Sequence, residues 1–384
     1  MNVLISLDGL SYTLFERYSK AFIENNFSIC HKLVTTFPSV TFNAHATAIT
    51  GSNHDKHFVI DNMLSHFRTI ERISLYGDHE LICNEELHKK TLFRSLAAHG
   101  LTSCCIHWPL TSGNPYIHHL VTESSSKKQL LNAEAIDQID DLALHKTIKA
   151  IESGAYDFIA SRFVGYDALS HKHGKDSLEA TLYVERLLEY IGRIDALLKK
   201  NQRSYNLFIF SDHGQSDVET FFYPNEILEQ SRWRENLLND QIRFVGDGSG
   251  SLLFYSTLDN RQNREIMDYF GQFPEVNHFY ELEGASSSEY QPIGILDLNA
   301  TVCGEDIVPP EQPKYRTMKS LHGYHPSNVD EMNGFMVCTG YQINRSTTIE
   351  EARLENIAPT LAKLFQISHP CDGGIIHDMI REYD

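Results

Sequence analysis

The 384-residue sequence predicts an α/β fold: a mostly parallel sheet with helices on both faces, and a small α+β subdomain at about 230–315 inside a single domain spanning 1–384. Three observations carry this. Short apolar runs of strand length alternate with helical periods, the βαβα order that lays helices over a parallel sheet. Several of those runs stop at an Asp, and in open α/β sheets function gathers at the carboxyl ends of the strands. One stretch breaks the alternation, with short strands around a Gly-rich turn.

The elements follow in order. Val3–Leu7 is an apolar run ending at Asp8-Gly9, and Ser11–Asn25 reads as a helix with Leu14, Tyr18 and Phe22 on one face. Leu101–Ile106 reads as a strand. Asn132–Glu152 is a helix with Ile136, Ile139, Leu142, Ile148 and Ile151 on its apolar side and Gly154 after its end. Tyr156–Phe163 is a strand, Asp176–Lys200 a helix with Leu187, Ile191, Ile194 and Leu198 at helical spacing, and Tyr205–Phe210 a strand ending at Ser211-Asp212. The excursion holds Arg243–Val245, the turn Gly246–Gly250, Leu252–Tyr255, helix Asn260–Phe270 and strand Val276–Tyr280. A Ser-rich loop (Ala285–Glu289) and Pro309, Pro310 and Pro313 follow. Phe335–Thr339 reads as a strand and Glu350–Phe365 as the closing helix.

Apolar residues at 41% and charged residues at 22% provide for a packed core. A formal net charge of −18 opposes wrapping of a nucleic-acid polymer. A small anionic substrate still fits if a metal supplies local positive charge. The longest apolar runs are far shorter than a membrane span. The first residues read as a buried strand rather than a signal peptide, so cytoplasmic placement is expected. The seven Cys (30, 83, 104, 105, 303, 338, 371) form no C-x-x-C pair and suit reduced, mostly buried thiols.

Chemistry is sought at the strand ends. Asp8 and Asp212 directly follow apolar strands, and Asp167 follows another by a few residues. His213 adjoins Asp212, and His171 stands four residues after Asp167, a spacing that converges on one helix face. Asp and His together are a common zinc ligand set. Singly, an Asp after a strand is more often a turn former or helix cap; three such Asp with two paired His carry more weight. Thr41 would stand at the N-terminus of a helix over Phe42–Ile49 that closes at Gly51, where the macrodipole favours an alkoxide and a bound phosphate. Ser39 is a competing hydroxyl, and an N-cap is the plain alternative for Thr41.

These residues resemble the type I phosphodiesterase and nucleotide pyrophosphatase branch of the alkaline phosphatase superfamily. The resemblance runs through Leu7-Asp8-Gly9, Phe37-Pro38-Ser39-Val40-Thr41-Phe42, His57 to Asn62, Trp108-Pro109, Asp167 to Gly174, Ser211-Asp212-His213-Gly214, Leu321-His322-Gly323-Tyr324 and Ile357-Ala358-Pro359-Thr360. It implies an alkaline-phosphatase-like core and two zinc ions per chain, with manganese or iron as alternatives. By match, Asp167, His171 and His322 hold one ion, and Asp8, Asp212 and His213 the other. Thr41 is then the metal-activated nucleophile, passing through a phospho-threonine. His322 comes from the resemblance alone, with His325 as its rival. Asn62 matches a phosphate-contacting Asn, and Phe42 an aromatic that stacks on a nucleotide base.

The sequence also departs from the family. Asn43-Ala44-His45 stands where Pro-Asn usually precedes the His, Phe58 replaces a Gly, and the base-stacking Tyr has no clear counterpart beyond Tyr116. The expected activity is hydrolysis of a phosphodiester or phosphoanhydride in a small phosphorylated substrate. The runners-up are a phosphonoacetate-hydrolase-like C–P hydrolase, using Lys89, Lys90, Lys127 or Lys128 to grip a carboxylate, and a phosphomonoesterase. A reading of another class is a non-catalytic metal- and nucleotide-binding sensor.

Overall fold

The computed structural model describes residues 1–384 apart from 26, 67–68, 70–71, 77–83, 130–135, 202, 283–289, 307–317 and 382–384. The first residues expected in the helix from Asn132, the Ser-rich loop, Pro309, Pro310, Pro313, Cys83 and the side chain of Lys128 therefore lie outside the described residues. Among the described residues, eight strands form the main sheet: β1 (Asn2–Leu7), β2 (Ser28–Val34), β3 (Ser103–Ile106), β4 (His119–Val121), β5 (Phe158–Phe163), β6 (Asn206–Phe210), β7 (Gly334–Gly340) and β8 (Thr348–Arg353). Their spatial order is β8-β2-β7-β6-β1-β5-β3-β4. Only β7 runs against its neighbours, so the sheet is the mostly parallel one expected.

Strand alternation sorts the two faces. Val3, Ile5 and Leu7 pack with Ala143, Leu144, Leu187 and Ile191 of helices Ile136–Ser153 and Leu178–Lys200. Leu4 faces the other way, onto Ala44, Leu92 and Leu361 of helices Thr41–Thr50, Leu92–Ala98 and Ile357–Phe365. A second, antiparallel sheet orders Ile242–Val245, Ser251–Ser256, Gly294–Leu298 and Val276–Glu281. One of its faces packs helix Asn260–Phe270 through Ile266 and Phe270. The other lays Val245, Leu253 and Ile295 against Phe42, Val59 and Ile60, and so backs the segments that carry Thr41 and Asn62.

Three expectations are corrected. The helix over Ser11–Asn25 is two short ones, Tyr12–Phe15 and Ser19–Glu24. Arg17 and Tyr18 N–H groups bond three residues back, to Leu14 and Phe15, which tightens the chain into a turn between them. The helix over Glu350–Phe365 begins only at Ile357, because Thr348–Arg353 is an edge strand parallel to β2. Its Glu350, Glu351 and Arg353 charges reach solvent, as edge strands require. Strands β2, β4 and Gly294–Leu298 were not foreseen; His31 and Lys32 interrupt the apolar pattern of the first. The six described cysteines are free thiols, five of them buried.

Candidate active site

The sheet's carboxyl edge gathers the residues that the sequence scatters. Asp8 follows β1, its N–H bonded to Phe163 O at the end of β5. Asp212 stands two residues past β6, and Asp167 lies in the first turn of helix Gly165–His173, just past β5. His171 is one turn on. The short pair Ser320–Leu321 with Ser216–Asp217 brings His322 alongside the segment that follows Asp212. Gly9 permits the close approach: it sits at φ +76°, and a Cβ there would lie 2.8 Å from Asp167 Oδ1.

Thr41 is the first residue of helix Thr41–Thr50. Val40 is its N-cap and Gly51, at φ 68°, its left-handed close. The Thr41 hydroxyl is therefore not spent on a cap; its Oγ1 lies 3.2 Å from His213 Nε2.

Backbone carbonyls fix the imidazoles. His171 Nδ1 lies 2.8 Å from Ser320 O, His322 Nδ1 3.1 Å from Ser39 O, and His213 Nδ1 3.1 Å from Gly214 O. A carbonyl only accepts, so each Nδ1 carries a proton and each Nε2 is the ring atom turned toward the carboxylates. His171 Nε2 and His322 Nε2 lie 3.4 and 3.9 Å from Asp167 Oδ1. His213 Nε2 lies 3.5 Å from Asp8 Oδ1 and 3.3 Å from Asp212 Oδ2. Burial lowers the His322 imidazole well below its ordinary range, and His213 beside it adds to the effect, which keeps the ring neutral.

Asp8 and Asp212 are fully buried and Asp167 is half-buried. Asp8 Oδ1 and Asp212 Oδ2 accept no hydrogen bond among the described residues, although each sits against His213 Nε2. Burial pushes the Asp8 carboxyl well up, with Arg162 pulling the other way. Burial also acts to raise Asp167, but the His171 imidazole beside it, itself raised by Asp167, holds it below the usual carboxylate range. Carboxylate oxygens facing imidazole nitrogens in a dry pocket fit a cation between them. Two overlapping groups have ligand atoms within 4.8 Å of one another: Asp167, His171 and His322, and Asp8, Asp167 and His213. Asp167 is common to both, and Asp212 adjoins the second through His213.

The remaining candidates separate clearly. Asn62 Oδ1 accepts from Phe42 N at 3.0 Å, and its Nδ2 donates to Tyr76 Oη at 2.9 Å. The buried Phe42 ring lies 5.0 Å from that of Tyr76. Ser39 Oγ donates to Tyr324 O at 2.7 Å and accepts from Gly323 N at 3.1 Å, so it holds the His322 loop. His325 stacks on Tyr280 and packs at a tilt against Phe37. Tyr116 packs against the core cluster that holds Leu4 and Trp108. Lys89 pairs with Glu85 and Glu86, and Lys90 lies over the Phe58 ring.

Three residues were not singled out from sequence. His45 Nδ1–H donates to Thr41 O at 2.8 Å and lies 3.2 Å from Asp212 Oδ2, while Nε2 accepts from Ser6 Oγ at 2.9 Å. Gln215 Nε2 donates to Asp167 Oδ1 at 2.6 Å. Arg162 pairs with Asp8. A cleft of about 490 Å³ opens beside Phe42 and Asp167 and is also lined by Tyr76, Trp108, Lys127 and Arg162. That size suits a small molecule.

A family model described as type I phosphodiesterase / nucleotide pyrophosphatase matches residues 2–268. A curated relative, ectonucleotide pyrophosphatase/phosphodiesterase 1 of Saccharomyces cerevisiae, is 24% identical over 296 residues, 63% of this chain. The chain spans only 36% of that protein's length. The solved structure of murine ectonucleotide pyrophosphatase/phosphodiesterase 5 superposes with a TM-score of 0.78 at 15% identity, covering 99% of both chains. An inactive variant of the murine protein in complex with AMP (14% identity) and the human counterpart (16%) give the same TM-score and coverage. At these identities the likeness concerns the fold.

Proposed function

The chain belongs to the type I phosphodiesterase / nucleotide pyrophosphatase family, and from that premise we propose that it hydrolyses a phosphodiester or phosphoanhydride bond of a small nucleotide-like substrate, with Thr41 as nucleophile. The observation that carries the reading is the convergence of three carbonyl-fixed histidines on three carboxylates, with the Thr41 hydroxyl 3.2 Å from His213 Nε2 at their edge. Asp167, His171 and His322 would hold one divalent cation, and Asp8, Asp212 and His213 a second beside Thr41 Oγ1. The donor set suits zinc, with manganese or iron served by the same ligands. Such a pair supplies Lewis acidity, which lowers the hydroxyl pKa and offsets charge on the leaving oxygen.

The chain's own groups do the rest. Thr41 Oγ1 gives up its proton to solvent and attacks phosphorus in line, the bond to the leaving oxygen breaks and that oxygen takes a proton from solvent, and water then cleaves the phospho-threonine, restoring the Thr41 hydroxyl and releasing the phosphoryl product. The helix N-terminus at Thr41 favours the anion throughout. Asn62, held by Phe42 N, turns its Nδ2 toward a non-bridging oxygen and exchanges its Tyr76 partner for it. Phe42 and Tyr76 offer an aromatic wall for a base.

Lys127 lines the cleft, and this favours keeping a C–P hydrolase as the second reading. The deciding experiment assays zinc-loaded protein on an aryl phosphodiester, an aryl phosphomonoester and phosphonoacetate, with Thr41→Ala alongside. Diester turnover that vanishes in the variant is the expected result. Phosphonoacetate or monoester turnover alone moves the assignment to that bond, and bound zinc with no turnover of any moves it to a sensor.

A further inference from the structure

Arg162 is the charged residue in the otherwise neutral, fully buried strand β5. Its side chain is 9% exposed and that of Asp8 0%. A guanidinium facing a carboxylate commonly straddles it, one N–H to each oxygen. Here Arg162 Nε donates to Asp8 Oδ2 at 2.6 Å, and Nη2 contacts the same Oδ2. Oδ1 is left bare and faces His213 Nε2. The third arm, Nη1, donates to Glu123 Oε2 at 3.2 Å, and Glu123 Oε1 lies 2.5 Å from Lys127 Nζ. Alternating charges thus run from the cleft, which Glu123, Lys127 and the edge of Arg162 line, to the buried carboxylate.

We propose that Arg162 is a positioning residue for Asp8, and that Glu123 orients Arg162 so that Oδ1 alone is presented to a divalent cation. Both groups of the pair are buried, so the geometry is over-determined rather than loosely held. Outer partners of this kind typically change metal affinity about 10–100-fold when altered. A second reading makes the opposite prediction. If Arg162 acts only as a nearby positive charge, it repels a cation, and its removal tightens binding. The inference rests on the proposal that divalent cations bind these residues.

The test is competition of the full chain with a chromophoric chelator for Zn2+, on wild type, Arg162→Lys, Arg162→Met and Glu123→Gln, each checked by thermal melting of the metal-free protein. Positioning predicts about 10–100-fold weaker binding at one site in Arg162→Lys, which keeps the charge and loses the fork, with a smaller loss in Glu123→Gln. Cobalt substitution adds a readout independent of affinity. A freed Asp8 can bind through both oxygens, which weakens the visible absorption of one ion as its coordination number rises. Wild-type affinity and spectrum in the Lys and Gln variants overturn the inference, as does tighter binding in Arg162→Met. Arg162→Met is the variant most exposed to misfolding, and the other two decide without it. Absence of any zinc binding to the wild type overturns the underlying metal reading, and the positioning role with it.

Discussion

Asp61→Asn tests how burial is balanced directly behind the candidate site. Asp61 is 1% exposed. Its Oδ1 accepts from Met63 N at 3.1 Å, and Oδ2 has no partner among the described residues. Burial pushes its carboxyl up to about 7, and Asp247 and Asp306 nearby push the same way. Against an unfolded value near 3.9, the shift is about 3 units, or about 4 kcal/mol between the two limits. The folded state therefore binds more protons between about pH 4 and pH 7, and stability falls as pH rises through that window. At pH 5 about 1.5 kcal/mol of this is already lost, and at pH 8 essentially all of it. Asn retains the Oδ1 acceptor that holds the turn next to Asn62 and cannot ionise. The variant should therefore gain about 2–3 kcal/mol on the wild type between pH 5 and pH 8, whatever their offset at pH 5. For a chain of this length that is on the order of 2–3 °C in melting temperature. Parallel melts of metal-free wild type and variant at the two pH values measure it. A difference that stays constant with pH refutes the burial argument.

Further perturbations address the site itself. Gly9→Ala places a methyl 2.8 Å from Asp167 Oδ1 at a φ of +76°, so a backbone penalty of about 1–2 kcal/mol and a displaced Asp167 should appear together as a lower melting temperature and weaker zinc binding. Ser39→Ala leaves Tyr324 O and Gly323 N without their hydroxyl partner; about 1–3 kcal/mol of stability should be lost, and activity at saturating substrate should fall with it as His322 loosens. Zinc should stabilise metal-free protein by about 2.7 kcal/mol at a hundredfold excess over Kd, read as a concentration-dependent rise in melting temperature, and a chelator should reverse it. A melting temperature blind to both would contradict cation binding at these carboxylates.

Periodicity reveals most where a segment's environment is uniform. Strands β1, β5 and β6 are buried on both faces and read as apolar runs, and the long helix Leu178–Lys200 shows a single apolar stripe. It is less informative where two environments meet. The sequence over Thr348–Phe365 contains an edge strand, a 3₁₀ turn and a helix, and its charges fit a helix surface as readily as a strand edge. Asp8, Asp167 and Asp212 were legible because a strand end has one direction in which to send a carboxylate. His322 was not, because nothing local distinguishes it from His325. What separates them is Ser39, 283 residues away in the chain, whose carbonyl fixes one ring while Tyr280 stacks on the other.

His45 and Arg162 show what a stricter reading of the same residues can use. Phe-Ile-Ala-Ser-Arg-Phe is too apolar around its Arg for a surface strand, and a charge in a strand covered on both faces demands a buried partner of opposite sign. The partner had to come from the end of a neighbouring strand, and β1 supplies one in Asp8. The same argument applies to His45, a full turn beyond Thr41 on a helix buried along its whole length. Its Nδ1–H goes to the Thr41 carbonyl and its Nε2 to Ser6. That anchors the first turn of the helix to the middle strand of the sheet, next to the ends from which Asp8 and Asp212 project. A polar residue that violates its element's apolar pattern is therefore as strong a pointer to the site as a motif. Its cost in burial has to be offset by a partner, and here both partners belong to the same cluster.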